Sequence, residues 1–397
     1  MIEAGVLERA LYLEADHPLQ RLRQRALMAG VGALALALIG AWLNPPQFFR
    51  SYLIAFLFWA GIALGSMAIL MLQYITGGMW GAVIRRLLES ATRTLPVVAV
   101  LFLPLVLGLH DLYEWTHVEA VAHDPVLQHK SAYLNIPFFL GRAVFYFAVW
   151  ITVAWFLNRW SMEQDEAPSF SVGKRLHHLS RGGLLLYSLT MTFAAIDWVM
   201  SLEPHWYSTI YGILIIGGQV LTAMAFVIPI VVALAANSPR AQIFSPSVLH
   251  DLGNLLLGFI MLWAYFSFSQ FLIIWAGNLP EETPWYLSRL RGGWEWMGVA
   301  LIVFHFALPL AALLSRDLKR NGRLLTAIAV GVLVIRYVDL YWLVSPAFSP
   351  AHLSVHWLDV VVFVGVGGVW LSAYLWQLQG RALLPQNDPA FVTEEGE

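Results

Sequence analysis

Eight ionisable side chains of this sequence lie within or at the ends of long apolar segments, where a charge is expensive and points to a function. They are Arg142, Asp197, Glu203, His205, His305, Arg336, Asp339 and Asp359. An unpaired carboxyl group at such a position is suited to proton transfer, because burial raises its pKa toward neutral pH. A carboxylate paired with an arginine would instead stay charged and hold helices together. Both interpretations remain open from the sequence.

The spacing of these residues limits which of them can pair. Arg336 and Asp339 are three residues apart and therefore share one face of a helix. Arg142 can pair with Asp197 or with Asp359, and the sequence does not choose between them. At 1.5 Å of rise per residue, Asp197 and Asp339 each lie about 22 Å from the inner end of their segments, and Arg142 and Asp359 each lie about 9 Å below the outer end.

These residues predict a polar proton route that opens to the outer face of a membrane. Its members are Asp197, Arg336, Asp339 and His305, with Glu203 and His205 at the mouth. The inner half of the apolar segments offers only neutral polar side chains, such as Tyr187 and Ser188. No catalytic residue is assigned. A b-type haem is not expected either, because His305 is the one histidine deep in a segment and such a haem needs two facing histidines.

The elements that carry these residues are predicted to be transmembrane helices. The chain has 397 residues, of which 59% are apolar and 12% are charged, about half the charged share of a soluble domain. The net charge of −2 excludes a nucleic-acid-binding protein, which needs a basic face. The sequence contains no cysteine, which excludes disulfides, iron–sulfur clusters and covalently attached haem within this chain. No metal site is expected.

Ten segments are long enough to cross a hydrocarbon core of about 30 Å. They are 26–43, 52–75, 92–109, 136–157, 182–202, 210–236, 252–276, 294–314, 324–344 and 353–378. With both termini cytoplasmic, the inner segments hold 17 Lys and Arg residues and the outer loops hold four, as the positive-inside rule requires. We therefore expect a single polytopic domain with a cytoplasmic segment 1–25, a ten-helix bundle 26–378 and a cytoplasmic tail 379–397.

A weak internal repeat predicts how the ten helices are grouped. The segments 46–49 and 204–207, which open the second and sixth spans, are similar. The fifth and ninth spans each begin with Gly-x-Leu-Leu and carry an aspartate about four turns later, Asp197 and Asp339. This pattern predicts an all-α membrane protein with two four-helix bundles, spans two to five and six to nine. Spans one and ten would flank them.

Four segments go beyond a generic membrane pattern and resemble one family. The most specific runs from Asp197 to Gly212 and contains Asp-Trp followed by Ser-Leu-Glu-Pro-His-Trp. The others are 268–283, 291–294, and 77–81 with the following pair of arginines. Together they resemble the F subunit of the bacterial alternative complex III, a quinol:electron-acceptor oxidoreductase. That subunit belongs with the NrfD-like membrane subunits of polysulfide and nitrite reductases, and the resemblance covers nearly the whole chain.

The resemblance implies a multi-pass subunit of the bacterial inner membrane that works in respiratory electron transport. Its partners would be a second membrane subunit homologous to it, a multihaem cytochrome c subunit, a large iron–sulfur subunit, the remaining subunits of the complex, and lipid. Haem and iron–sulfur clusters would lie only in these partners. A quinone or menaquinone is the ligand that the resemblance allows in this chain. The implied role is proton translocation or quinone binding, and the chain would not be catalytic alone.

Two other classes of function remain open at this stage. A secondary transporter would carry a small solute through the polar cluster of the outer half, although such transporters usually have inverted repeats and the repeat here is parallel. A structural membrane anchor would use the intramembrane charges only as ion pairs.

Overall fold

A computed structural model describes residues 18–236 and 245–385, and these residues form helices and short connections without any strand. The fold class predicted from the sequence, all-α, is therefore confirmed over the described residues. The long helices are α1 (Pro18–Leu43), α2 (Pro45–Thr76), α3 (Met79–Thr92), α4 (Leu95–Leu107), α5 (Ile136–Glu166), α6 (Phe170–Trp198), α7 (Tyr211–Ala236), α8 (Pro246–Gly277), α9 (Trp294–Leu313), α10 (Gly322–Val344) and α11 (Trp357–Gln377).

Within the described ranges, nine of these helices are each long and apolar enough to cross a membrane. Helices α3 and α4 do not meet this criterion of length and hydropathy alone. Taken together they do, with a bend of 41° where they meet. Buried α2 contrasts with α1, α8 and α9, whose apolar side chains are largely exposed on the surface of the molecule. Exposed apolar faces of this length belong in lipid. These helices indicate a multi-pass membrane protein.

Local sequence explains where several helices begin. Asn44, Asn135 and Asn321 each precede a helix and accept hydrogen bonds from backbone N–H groups of its first turn. Helices α2, α5 and α8 each have a proline in the first turn. Proline has no backbone N–H, and at this position an N–H group would find no partner within the helix. Each asparagine cap satisfies one or two of the backbone donors that the start of a helix leaves without an intrahelical partner.

The centre of the molecule is the contact between α2 and α7. Gly65 of α2 lies so close to the backbone of Gln219 in α7 that a Cβ at this position would overlap the Gln219 carbonyl group. Around this pair, α6 packs on both α2 and α7, and α10 also packs on both. Further contacts join α2 to α4, α4 to α5, and α5 to α6. On the other side, α7 contacts α8, α8 contacts α9, and α9 contacts α10.

The first and last long helices pack against each other along much of their length. Gly30 of α1 and Gly368 of α11 lie in direct contact, and neither position has room for a Cβ. Helix α11 also packs on α2 through Trp59, whose indole N–H donates to the carbonyl oxygen of Phe363. Helix α1 is thereby attached mainly through α11, at the edge of the molecule.

Many boundaries differ from the sequence prediction. Besides α1, four helices extend well beyond their predicted spans: α2 begins at Pro45 rather than 52, α5 ends at Glu166 rather than 157, α6 begins at Phe170 rather than 182, and α8 begins at Pro246 rather than 252. Helix α1 begins at Pro18 rather than at residue 26, so residues 18–25 of the predicted cytoplasmic segment belong to the helix. The third span, predicted as 92–109, is interrupted by Arg93 and Thr94, and α3 occupies the expected loop before it. Helix α11 begins at Trp357 rather than at residue 353. The remaining parts of segments 1–25 and 379–397, residues 1–17 and 386–397, lie outside the described residues.

Candidate functional site

The eight ionisable residues singled out from the sequence fall into separate groups in the structure. Arg142 and Asp197 form one pair, and Arg336, Asp339 and His305 form a second group deep in the other half. Glu203 and His205 have partners in the connections at one end of the bundle. Asp359 lies in the first turn of α11. The described residues do not join these groups into one continuous hydrogen-bonded route.

Asp197, near the end of α6, is held by α5. Nε of Arg142 donates to Oδ2 and Nη2 donates to Oδ1, both at 2.8 Å. The hydroxyl of Tyr146 also donates to Oδ2 at 2.8 Å. The partner of Arg142 is therefore Asp197 and not Asp359. Arg142 thus engages both oxygens of Asp197 in charge-assisted hydrogen bonds.

Asp339 on α10 has a different environment. Arg336, one turn earlier, forms the ion pair that the spacing predicts. The indole N–H of Trp263 on α8 donates to Oδ2 of Asp339 at 3.1 Å. Both of these hydrogen bonds reach the same oxygen. Sequence reasoning missed Trp263, because a tryptophan in an apolar span is more often part of the core or of an interfacial belt.

His305 completes this group and is fully buried. Its ring lies 4.0 Å from the ring of Trp263, measured between centroids. Neither ring nitrogen has a hydrogen-bond partner among the described residues. His305 belongs to a π-helical stretch of α9, Leu301–Ala307, and such widened turns occur frequently at functional sites. We refer to Trp263, His305, Arg336 and Asp339 as the α8–α10 cluster.

The α8–α10 cluster is adjacent to the centre of the molecule. The guanidinium group of Arg336 lies against Gly218 of α7, at a position that any side chain would block. The next residue, Gln219, accepts a hydrogen bond of 2.7 Å from the hydroxyl of Tyr187 on α6. Tyr187 was among the neutral inner-half side chains noted in the sequence. Arg336 therefore packs against the residue of α7 that precedes Gln219, and Gln219 is hydrogen-bonded to α6.

Glu203 is paired with an arginine that sequence reasoning counted only as a loop charge. Nη2 of Arg289 donates to Oε2 of Glu203 at 2.8 Å, and the guanidinium group lies 3.6 Å from the centre of the Trp285 ring. Arg289 is fully buried and also donates to the carbonyl oxygens of Trp342 and Leu343. This arrangement ties the 198–211 connection to the end of α10.

His205 lies in the same connection but is exposed. Its Nε2 donates to Oδ2 of Asp124 at 2.5 Å. The pKa of the Asp124 carboxyl is held below its ordinary value, chiefly by this hydrogen bond; desolvation opposes the shift, and the amides of Leu127 and Val126 add to it. His205 therefore fastens two surface segments together.

Asp359 was expected about 9 Å below the outer end of its span, and this expectation is wrong because α11 begins only two residues earlier. It forms a capping box with His356 and accepts a hydrogen bond of 2.6 Å from the hydroxyl of Ser51 on α2. Its second oxygen accepts from Tyr341 at 3.2 Å. Asp359 caps α11 and joins it to α2 and α10.

A charged cluster at the opposite end of the bundle was not foreseen. Arg86 and Glu89 of α3 are both buried and form an ion pair with a 2.6 Å separation between Nη1 and Oε2. Arg86 also pairs with Asp165 of α5, and Ser161 donates to Glu89 at 2.5 Å. The sequence prediction of neutral polar groups concerned the inner halves of the apolar segments, and Arg86 and Glu89 lie outside those segments. The residues had been placed in a loop, where charges are ordinary.

A cleft at the end of the bundle that carries Glu203 contains a further unsatisfied polar group. Gln270 of α8 is buried, and its Oε1 has no hydrogen-bond partner. The cleft is lined by Tyr207, Ser208, Thr209, Ile210, Gln270, Ile273, Ile274 and Glu282. Amide and hydroxyl groups beside isoleucines suit the carbonyl groups and ring of a neutral headgroup such as a quinone. The described residues contain no group of three or more His, Asp or Glu side chains placed to hold a metal ion.

Comparison with known proteins gives no assignment. No protein-family model matches the sequence, and no curated protein matches it significantly.

Proposed function

We propose that this chain is a proton-translocating membrane subunit of a quinol:electron-acceptor oxidoreductase of the alternative complex III type, with the redox centres in partner subunits. The observation that carries the proton-translocating role is the α8–α10 cluster. A buried imidazole with two unpartnered nitrogens lies beside a buried carboxylate and a buried guanidinium group. Buried ionisable groups in transmembrane helices mark proton relays and ion pathways. The resemblance of the Asp197–Gly212 segment supports the type of complex.

The two buried aspartates divide the proposed roles. Arg142 and Tyr146 engage both oxygens of Asp197, so its role is to join α5 to α6. The hydrogen bonds to Asp339 all reach Oδ2, and His305 nearby has free nitrogens. We therefore place proton exchange at Asp339 and His305. Gln219 and Tyr187 lead from there toward α6.

The helix contacts support the finer architecture of ten spans in two four-helix bundles. Helices α2, α4, α5 and α6 form one closed ring of contacts, and helices α7, α8, α9 and α10 form another. Three contacts join the rings: α2 with α7, α2 with α10, and α7 with α6. Exchanging α2 with α7 and α6 with α10 converts the last two contacts into each other and leaves the first unchanged. We propose that α3–α4 is one broken span, that α1 and α11 flank the rings, and that both termini face the cytoplasm of a bacterial inner membrane.

A quinone site is a second proposed role of this chain. The cleft beside Gln270 supplies a buried amide, the hydroxyl groups of Ser208 and Thr209, and apolar walls. The hydroxyl groups of Ser208 and Thr209 would donate hydrogen bonds to the carbonyl oxygens of a quinone, and Oε1 of Gln270 would accept a hydrogen bond from a hydroxyl group of the reduced quinol. Bound quinone would carry the electrons of the reaction, while the chain would orient the headgroup.

The proton role is tested in the assembled complex with His305→Gln, which keeps a polar side chain of similar size but cannot titrate, and with Asp339→Asn. Assembly is followed by the haem absorbance that co-purifies with the subunit. We expect the ratio of protons translocated to electrons transferred to fall by at least half in both variants while quinol oxidation continues. The matched controls, His250→Gln and Asp251→Asn on α8, are expected to retain the ratio. Assembled variants with an unchanged ratio would assign the cluster a structural role.

A secondary transporter is the second candidate, because a broken helix within a bundle is typical of transporters and α3–α4 is bent by 41°. Purification from native membranes separates the two candidates. Co-purification with a multihaem subunit favours the oxidoreductase, whereas a chain that purifies without redox partners and takes up solute in vesicles favours the transporter.

A further inference from the structure

Three half-buried arginines gather around the end of α11, at the end of the bundle where α3 lies. Nη1 of Arg23 donates to Oε1 of Gln379 at 2.7 Å, and Nη1 of Arg93 donates to the carbonyl oxygen of Gln377 at 3.0 Å. Arg381 donates to Oδ1 of an α5 residue, Asn158, at 3.4 Å. All three partners are uncharged. Within 18–236 and 245–385, none of the three arginines forms an ion pair.

Neighbouring carboxylates offset only part of the charge of this arginine cluster. Glu89 and Asp165 are both paired with Arg86, so these three residues together carry one net negative charge against the three positive charges of the cluster. Arg93 and Arg381 are close enough to repel each other electrostatically. Burial lowers the pKa of the Arg381 guanidinium; Glu89 and Asp165 oppose this effect, and Arg86 adds to it.

The C-terminal end of α11 contributes only about half a negative charge to this region. Three guanidinium groups therefore retain a clear positive excess, and a bound anion would relieve it.

The surface beside the arginine cluster is apolar. Leu27, one turn further along α1 from Arg23 and on the same face, is exposed. Trp376, next to Gln377 in α11, is exposed as well. A ligand at the cluster would thus have its charged group among arginines and an apolar portion along α1 and α11. Fatty acyl chains fit such a surface, and a soluble anion would leave it unused.

We propose that Arg23, Arg93 and Arg381 bind the phosphate group of an anionic phospholipid in the membrane leaflet at this end of the bundle. Guanidinium groups bind phosphate oxygens through paired, charge-assisted hydrogen bonds. Basic pockets between transmembrane helices on the cytoplasmic side bind anionic headgroups in this way. The lipid would join α1, the α3–α4 break and the end of α11, three segments that are far apart in sequence. This proposal is independent of the proton and quinone roles.

The test measures binding of dioleoyl-phosphatidylglycerol and dioleoyl-phosphatidylcholine to the purified full-length chain in detergent by native mass spectrometry. We expect phosphatidylglycerol to bind more tightly to the unaltered chain. Each arginine near a membrane surface is worth about fivefold in affinity for anionic lipid, so Arg93→Gln/Arg381→Gln should weaken phosphatidylglycerol binding about 30-fold. Arg23→Gln alone should weaken it about fivefold, and it keeps the contacts of Arg93 and Arg381.

The matched control is Arg320→Gln/Arg323→Gln, which removes the same charge from two exposed positions, one just before α10 and one in its first turn. We expect less than a twofold effect from it, with unchanged thermal melting in all variants that are compared.

Equal loss in the control, or equal binding of the two lipids, would overturn the proposal. Displacement by millimolar inorganic phosphate would also overturn it, in favour of a soluble anion. A chain ending at residue 385 that binds phosphatidylglycerol more tightly would show that the acidic tail occupies the cluster instead.

Discussion

At the scale of single residues, the pairing of Arg142 with Asp197 has an energetic consequence. The two side chains are almost completely buried and share two hydrogen bonds. Removing one partner leaves an uncompensated charge in a low-dielectric environment, whereas removing both does not. The pair should therefore behave as a unit in mutagenesis.

We expect Asp197→Leu and Arg142→Met each to destabilise the chain by about 3–5 kcal/mol. The double variant Arg142→Met/Asp197→Leu should lose clearly less than the sum of the two. A double-mutant cycle on the detergent-solubilised protein, read out as the free energy of unfolding, measures the difference. Losses that add within about 0.5 kcal/mol would show that the two residues do not interact.

The contact between His205 and Asp124 predicts a pH dependence. Because the pKa of Asp124 is lowered in the folded chain, its ionised form stabilises the contact. That stabilisation is complete above about pH 4, the ordinary value for an aspartate, and is lost as the pH falls through the lower folded value. The ionised carboxylate also accepts hydrogen bonds from the amides of Val126 and Leu127.

His205→Ala should move the pKa of Asp124 part of the way back up. The amides of Val126 and Leu127 should then lose protection from hydrogen exchange at a higher pH than in the unaltered chain. Exchange measured between pH 3 and pH 6 tests this expectation. The control is His123→Ala, since the ring of His123 contacts only a backbone carbonyl nearby; an equal shift in the control would contradict the assignment to His205.

The sequence predicted only part of the candidate site, and the reason is sequence separation. The pairing of Arg336 with Asp339 is local and follows from helix periodicity. The partner of Arg142 lies 55 residues away and had two candidates. Trp263 and Arg289 were not identified, because a neutral indole and a loop arginine acquire their roles only when distant segments meet.

At the scale of helices, the contact between α2 and α7 depends on small residues. In lipid, helices associate through close packing, which glycine permits. Gly65 lies against backbone, which cannot move aside, whereas a Cβ at Gly61 would lie 3.4 Å from the flexible side chain of Gln219. The two glycines lie on the same helix and face the same residue.

Gly65→Ala should therefore separate α2 from α7 and destabilise the chain by about 1–3 kcal/mol. Gly61→Ala should be neutral or slightly stabilising, because alanine favours the helix by up to about 1 kcal/mol. Thermal melting of the two variants under identical detergent conditions compares them. Similar melting temperatures would contradict the close approach at Gly65.

Helix α3 shows what apolar periodicity fails to detect. It contains buried charges within 14 residues, so a search for long apolar segments assigns it to a loop. Its charges are compensated by residues of α5 and by each other, and this compensation appears only after folding. By contrast, the nine long apolar helices were predicted because their pattern is local and continuous.

At the scale of the whole molecule, the proposed orientation places residue 119 outside, residue 170 inside and residue 281 outside. The chain contains no cysteine, so single cysteines can be labelled without background. We expect Glu119→Cys and Glu281→Cys to react with a membrane-impermeant maleimide in intact spheroplasts. Phe170→Cys should react only after lysis. Any other sequence of accessibilities would contradict the ten-span topology.

The purified chain without partners should show no haem absorbance and contain no stoichiometric iron. The sequence lacks cysteine, and His305 has no second histidine facing it in the α8–α10 cluster. Absorption spectroscopy and elemental analysis of the isolated protein provide the measurement. Stoichiometric haem in the pure chain would refute the placement of all redox centres in other subunits.

The packing of α1 against α11 has a consequence for biosynthesis. Ribosomes add about 5–20 residues per second, and 314 positions separate Leu43 from Trp357. Helix α1 therefore waits roughly 15–60 seconds after its own synthesis before its main neighbour exists. During that interval its exposed glycine face is available to insertion factors or membrane proteases. A chain whose synthesis stops before α11 would leave this face uncovered. Exposure of the face would therefore distinguish an unfinished chain from a finished one.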